Sequence, residues 1–176
     1  MNIALYAGSF NPPGLHHREV IQKLENIFDK IVIIPCGQSP IKKGIMENKH
    51  RVEMIRLAFT EKEKVKIDFQ DILNETFVRP YEIENEYKDI GTSWYVIGSD
   101  IIIGGAKKNS NIHKYWKDGY NLWDKLNFAI ITRPGYLISN DDLPPKHILI
   151  NKCDRFKFGY KNSNKIKPRT SQLIGT

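Results

Sequence analysis

Four short stretches hold residues whose types and spacing suit phosphate chemistry. The first runs Ala7-Gly8-Ser9-Phe10-Asn11-Pro12-Pro13-Gly14-Leu15-His16-His17. Gly8 carries no Cβ, so the backbone there can approach a ligand closely. Ser9 offers a hydroxyl, and Asn11 with Pro12-Pro13-Gly14 forces a tight path. His16 and His17 open the next apolar-periodic run, where first-turn N–H groups and the positive end of a helix dipole favour an anion. On spacing alone, a plain helix start accounts for the two histidines equally well. The other stretches are Pro35-Cys36-Gly37-Gln38, Gly98-Ser99-Asp100 and Thr132-Arg133-Pro134. None makes a GxGxxG fingerprint or a GxxxxGK[ST] loop, which weakens the two commonest dinucleotide and triphosphate readings.

Each stretch follows an apolar run that reads as a buried strand. Ile3–Tyr6 is apolar throughout and stops at Ala7-Gly8. Arg18–Phe28 places Val20, Ile21, Leu24, Ile27 and Phe28 at helical spacing, and Asp29-Lys30 breaks it. Ile31–Ile34 is β-branched and ends at Pro35. Strand, helix and strand in succession predict a βαβ unit with parallel strands. Farther on, the pattern predicts a helix over Lys49–Thr60, a strand over Val65–Phe69 and a short helix over Tyr81–Lys88. A strand over Trp94–Ile97, a helix over Tyr115–Leu126 weakened by Gly119, and strands over Phe128–Ile131 and Ile148–Ile150 complete the series. The expected fold is α/β: a Rossmann-like three-layer arrangement around a mostly parallel sheet, with residues 1–176 as a single domain. Ligands of such sheets bind beyond the carboxyl ends of the strands, which is where all four stretches lie.

Composition bounds the partners. The chain has 176 residues, 40% hydrophobic, with a formal charge of +7. That balance is globular, and no apolar run approaches the roughly 20 residues of a membrane helix. MNIALYAGSF lacks a charged leader, so no signal peptide is expected. Cys36 and Cys153 form neither a metal spacing nor a disulfide framework, which suits a reducing cytoplasm. The positive excess fits nucleic acid, an anionic surface, a phosphorylated small molecule or plain solubility, and the count alone does not choose.

The motifs choose further. Gly8-Ser9-Phe10-Asn11-Pro12-Pro13-Gly14-Leu15-His16-His17 resembles the GxF(D/N)Px(H/T)xxH loop of the nucleotidyltransferase superfamily. Ile34-Pro35 with Pro40-Ile41-Lys42 resembles the IPxxxxPxK loop of the nicotinate/nicotinamide mononucleotide adenylyltransferases. His50-Arg51-Val52-Glu53-Met54 resembles their HRxxM helix, and Val96-Ile97-Gly98-Ser99-Asp100 their IIGxD strand end. Trp116 stands before Arg133-Pro134-Gly135-Tyr136 at the W…RPGY distance. Arg169-Thr170-Ser171-Gln172-Leu173 resembles the start of their closing motif. The chain departs at Gly14, where the family has His or Thr, at His16, which replaces a small or apolar residue, and at Ile174, which replaces an Arg. It also ends at Thr176, where family members continue, so the usual C-terminal helices are expected to be short or missing.

The resemblance implies transfer of AMP from ATP to nicotinate or nicotinamide mononucleotide, with release of pyrophosphate, in NAD biosynthesis. It implies ATP as substrate with Mg²⁺, and catalysis by positioning and charge without a protein nucleophile. By the same resemblance His17 is the catalytic donor to phosphate, and Gly8, Ser9 and Phe10 line the junction of the two nucleotides. Gly98, Asp100, Arg133, Thr170 and Ser171 join His17 in binding nucleotide. Lys42, with Lys43 nearby, meets a substrate phosphate, and Trp116 stacks on the pyridine ring. Plainer roles stay open: a cap for Asp100, an ion pair for Arg133, a core position for Trp116, a solvated charge for Lys42. Trp123 is the better core tryptophan. His50 and Arg51 are expected to orient the second helix and its loop, and His113 and His147 to lie at the surface.

Three rivals stand beside this reading. Another phosphorylated acceptor, such as phosphopantetheine, would suit the same superfamily. A degenerate homologue that binds nucleotide without turnover is suggested by Gly14 and Ile174. Nucleic-acid binding is suggested only by the basic, aromatic-interleaved stretch from Lys152 to Arg169, which serves ATP phosphates equally well, so it is disfavoured. Small nucleotides are the expected partners, no membrane is expected, and a homo-oligomer is compatible with the sequence.

Overall fold

The computed structural model describes residues 1–37, 43–76 and 80–151. Lys42, Thr170, Ser171, Ile174 and the basic stretch from Lys152 lie outside the described residues.

The chain alternates strand and helix. It begins β1 (Asn2–Gly8), α1 (Leu15–Glu25), β2 (Lys30–Pro35), α2 (Asn48–Ala58), β3 (Val65–Ile67), α3 (Gln70–Leu73) and α4 (Pro80–Tyr87). It continues β4 (Thr92–Gly98), α5 (Asn111–Tyr115), α6 (Gly119–Lys125), β5 (Asn127–Ile131) and β6 (His147–Ile150). The strands form one sheet in the order β3-β2-β1-β4-β5-β6. Every pairing is parallel, so the sheet is wholly rather than mostly parallel.

Both faces of the sheet are covered, which is why its strands read as unbroken apolar runs. Alternate residues go to opposite faces. Ala4, Ile31, Ile33, Val96 and Ala129 pack with Val20, Ile21 and Leu24 of α1 and with Val52 and Ile55 of α2. Ile3, Leu5, Val32, Tyr95 and Phe128 pack with Ile83 of α4, Ile112 of α5 and Leu122 and Trp123 of α6. Two helical layers around one sheet make the expected three-layer α/β fold.

Four local expectations are corrected. Helix α1 starts at Leu15, because Gly14 is extended and serves as its N-cap, and it ends before Ile27, which is 48% exposed. The helix expected over Tyr115–Leu126 begins only at Gly119: a side chain there would collide with the Ile112 carbonyl, and Asp118 turns the chain at φ +59°. His113 is buried between Tyr120 and Trp123, with its Nδ1 2.7 Å from Ser110 Oγ. His147 is half-buried and donates from Nδ1 to the Pro144 carbonyl at 2.7 Å. Periodicity of the host segment carries no sign of either contact.

Candidate active site

The strand order reverses direction between β1 and β4. Such a switch point leaves a crevice at the carboxyl edge of the sheet. Tyr6 of β1, Ile97 and Gly98 of β4, Ile131 and Arg133 from β5 and its following loop, and His16 and Val20 of α1 line a cavity there. Its volume is about 30 Å³, so it is the floor of a site and not the whole of one.

The loop after β1 is built around two rings. Phe10 takes φ +42°, a left-handed conformation that a bulky residue holds only when its surroundings impose it. They do: its ring is 2% exposed and meets Tyr6 at 5.4 Å, Phe59 at 5.5 Å and His17 at 5.0 Å between centroids. The Phe10 ring also covers Gly8, where a Cβ would sit 3.3 Å from it. Phe10 therefore supports the loop from beneath, and its ring does not line an open surface.

His17 closes the first turn of α1. Its Nδ1 accepts from the Gly14 backbone N–H at 2.8 Å. A ring nitrogen that accepts carries no proton, so in the neutral ring the proton sits on Nε2. His17 is thereby fixed as an Nε2–H donor. His16 stacks against it, with centroids 3.8 Å apart and planes at 40°.

Arg51 holds the loops in register. Its side chain is fully buried. Nε and Nη2 donate to the Ser9 carbonyl at 2.9 and 2.5 Å, and Nη2 also donates to the Cys36 carbonyl at 2.6 Å. Nη1 reaches Asn48 Oδ1 at 3.0 Å and the Gly37 carbonyl at 3.4 Å. Burial lowers its pKa, and Cys36 beside it pulls the other way. Arg51 thus ties α2 to the ends of both β1 and β2. Asn11 adds a second tie: its Oδ1 accepts from Met46 N–H at 3.1 Å and its Nδ2 donates to the Gly44 carbonyl at 3.4 Å.

The opposite wall is polar. Ser99 is fully buried, and its Oγ accepts from the Arg133 backbone N–H at 3.0 Å, which joins the ends of β4 and β5. Arg133 Nη1 lies 2.8 Å from Asp100 Oδ1. That oxygen has no aligned hydrogen bond, so the attraction is Coulombic. Asp100 sits inside the short 3₁₀ turn Ser99–Ile101, with Gly98 in the cap position. A Cβ at Gly98 would run into both Asp100 and Arg133, so glycine leaves their pairing undisturbed.

The structure thus brings Gly98, Asp100 and Arg133 together across a cleft from His16, with His17 stacked on it. Trp116 lies elsewhere: it is half-buried on the other face of the sheet, 6.2 Å from Tyr95 and 6.5 Å from Phe128. Lys43 is exposed, near the Asn11 tie. Sequence reasoning missed Tyr6, and it placed Ser99 in a site loop without its bond to the Arg133 N–H. A polar ring one residue before the glycine turn was the available signal for Tyr6. Among the described residues no group of three His, Cys, Asp or Glu could hold a metal ion, and no helix is long and apolar enough to cross a membrane.

Comparison with known proteins places this geometry. A family model described as cytidylyltransferase-like matches residues 5–167. A protein of Aliarcobacter butzleri named "Probable nicotinate-nucleotide adenylyltransferase" is 30% identical over 142 residues, covering 77% of this chain and 74% of its own. A like-named protein of Acholeplasma laidlawii is 30% identical over 146 residues, covering 79% of this chain and 71% of its own. The solved structure of Plasmodium falciparum nicotinic acid mononucleotide adenylyltransferase complexed with NaAD superposes with a TM-score of 0.66 at 26% identity, covering 86% of this chain and 75% of that one. The crevice at the β1/β4 switch point and these matches agree, and the chain belongs to the cytidylyltransferase-like family, on its nicotinate-nucleotide adenylyltransferase branch.

Proposed function

We propose that this enzyme joins the AMP of ATP to nicotinate mononucleotide and releases pyrophosphate, a step of NAD biosynthesis. The observation that carries this reading is the cleft itself: a histidine ring and an arginine face each other at the switch point, and His17, stacked on that ring, is locked by Gly14 as an Nε2–H donor. Donors and a cation around a phosphate suit in-line attack of one phosphate oxygen on the α-phosphorus of ATP. That reaction needs positioning and charge stabilisation, with no protein nucleophile.

His17 Nε2–H donates to the phosphates, where charge develops. Arg133 binds phosphate after leaving Asp100, and Asp100 turns to ribose or to the metal-bound phosphates. Gly8 and Ser9 border the nucleotide junction, Gly98 keeps the floor open, and Lys42, Thr170 and Ser171 add phosphate contacts. Trp116 is the candidate pyridine-facing ring. Mg²⁺ accompanies ATP and is carried mainly by its phosphates; one carboxylate, Asp100, fits the usual one- or two-carboxylate share of such a site. Residues 1–176 act as one nucleotidyltransferase domain in the cytoplasm, and a homo-oligomer is compatible with it.

Purified protein with ATP and Mg²⁺ is offered nicotinate mononucleotide, nicotinamide mononucleotide and phosphopantetheine, and pyrophosphate is measured. Turnover with the nicotinate form is expected. Turnover with phosphopantetheine alone, or ATP binding with no pyrophosphate from any acceptor, overturns the reading.

A further inference from the structure

We infer that His16 is itself a phosphate-binding residue of this chain, contacting the polyphosphate of ATP directly, in addition to His17. The inference rests on the adenylyltransferase reading above and names a contact within it.

Four observations carry it. His16 occupies the second position of α1, an eleven-residue helix whose first turn holds no acidic residue to repel an anion. It lines the cavity floor together with Gly98 and Arg133. Its neighbour His17 uses Nδ1 on the Gly14 N–H and leaves Nε2–H as its donor. Finally, Gly14 at the N-cap places no side chain over the mouth of the turn, and His16 is the histidine of α1 that lines the floor. Among the described residues that line the cavity, the titratable ones are Tyr6, His16 and Arg133. Asp100 pairs with Arg133 at 2.8 Å. An anion entering between His16 and Arg133 meets donors on both sides.

A merely structural role is the alternative: His16 stacks on His17 at 3.8 Å and would then only hold its neighbour in place. His16→Phe separates the two, because it keeps an aromatic ring for stacking and removes the nitrogen donors. His16→Gln keeps a donor and removes the ring. ATP and inorganic pyrophosphate are titrated calorimetrically into wild-type, His16→Phe, His16→Gln and the double variant Gly14→His/His16→Gly, with thermal unfolding run alongside. Loss of one charge-assisted contact weakens ATP and pyrophosphate binding by about ten- to a hundredfold in His16→Phe. His16→Gln retains part of the affinity, and the double variant, which returns a donor to the N-cap, recovers binding to within about threefold of wild type. Wild-type affinity in His16→Phe overturns the inference. Equal loss in His16→Gln and His16→Phe overturns it as well. If wild-type protein binds ATP but turns over no mononucleotide, the adenylyltransferase reading fails while the phosphate contact stands.

Discussion

Helices α1 and α5 begin alike and end in different chemistry. Each has a histidine three residues after its N-cap, and in each the Nδ1 of that ring turns back to the cap residue. At α1 the partner is the Gly14 backbone N–H, and at α5 it is the Ser110 hydroxyl. The residue before the ring differs: His16 at α1, and Ile112, wholly buried, at α5. Surroundings differ more. His17 stacks on His16, which lines a cleft with an arginine, whereas His113 lies 4.9 Å from Tyr120 and 4.7 Å from Trp123 inside the second core. A histidine that closes a helix start is a local device with no fixed meaning. The far end of the ring decides whether it serves a ligand or a core.

The sharpest way to break this comparison is to damage each region and ask which property falls. Trp123 is buried at 8% exposure against Phe128 and His113. Trp123→Ala should cost about 3–5 kcal/mol of stability with activity per folded molecule retained, read by denaturant unfolding and by assay at low temperature. His17→Ala should do the reverse. Loss of a preorganised donor raises the barrier by about 2.7–4 kcal/mol, a fall of some hundred- to thousandfold in kcat, with the unfolding midpoint nearly unchanged. A comparable loss of stability in His17→Ala would merge the two regions into one structural class. Gly98→Ala tests the cleft's other wall. The added methyl displaces Asp100 and Arg133, both of them flexible side-chain ends, so kcat/KM should drop about tenfold while the fold survives.

The smallest effect is a pH dependence. Burial lowers the pKa of His113 from its ordinary value of 6.5. The unfolded chain then binds a proton that the folded chain resists. Stability from His113 is complete above about pH 6.5 and declines as pH falls toward the lowered value. His113→Asn should flatten that acid limb in urea titrations between neutral pH and pH 5. An unchanged limb would assign it to other groups.

The comparison also shows what a sequence can carry. Strands β1, β2, β4 and β5 were legible because both faces of a parallel sheet are apolar, so no alternation is needed to see them. The site loops were legible because they follow those strands. Helix α3, four residues long, is too short to show a period. The break before α6 depends on Gly119 meeting the Ile112 carbonyl, and the burial of His113 depends on two aromatic residues from another helix. Both are contacts between segments and leave no trace in local spacing. Asp100 and Arg133 were each picked out by position, but their pairing is a fact of two strand ends meeting. Trp116 was picked out by its residue type and its distance from Arg133, and its placement against Tyr95 and Phe128 comes from packing on the far side of the sheet.

The guanidinium of Arg51 has a mechanical consequence. By bonding the carbonyls of Ser9, Cys36 and Gly37 at once, it ties the ends of β1 and β2 to one another. On the facing side, the Arg133 N–H on Ser99 Oγ joins the ends of β4 and β5, and Asp100 and Arg133 meet through one unaligned ion contact. The two sides of the crevice are thus tied differently: one guanidinium spans three carbonyls of two strand ends, and a backbone-to-hydroxyl bond with an ion contact joins the other two.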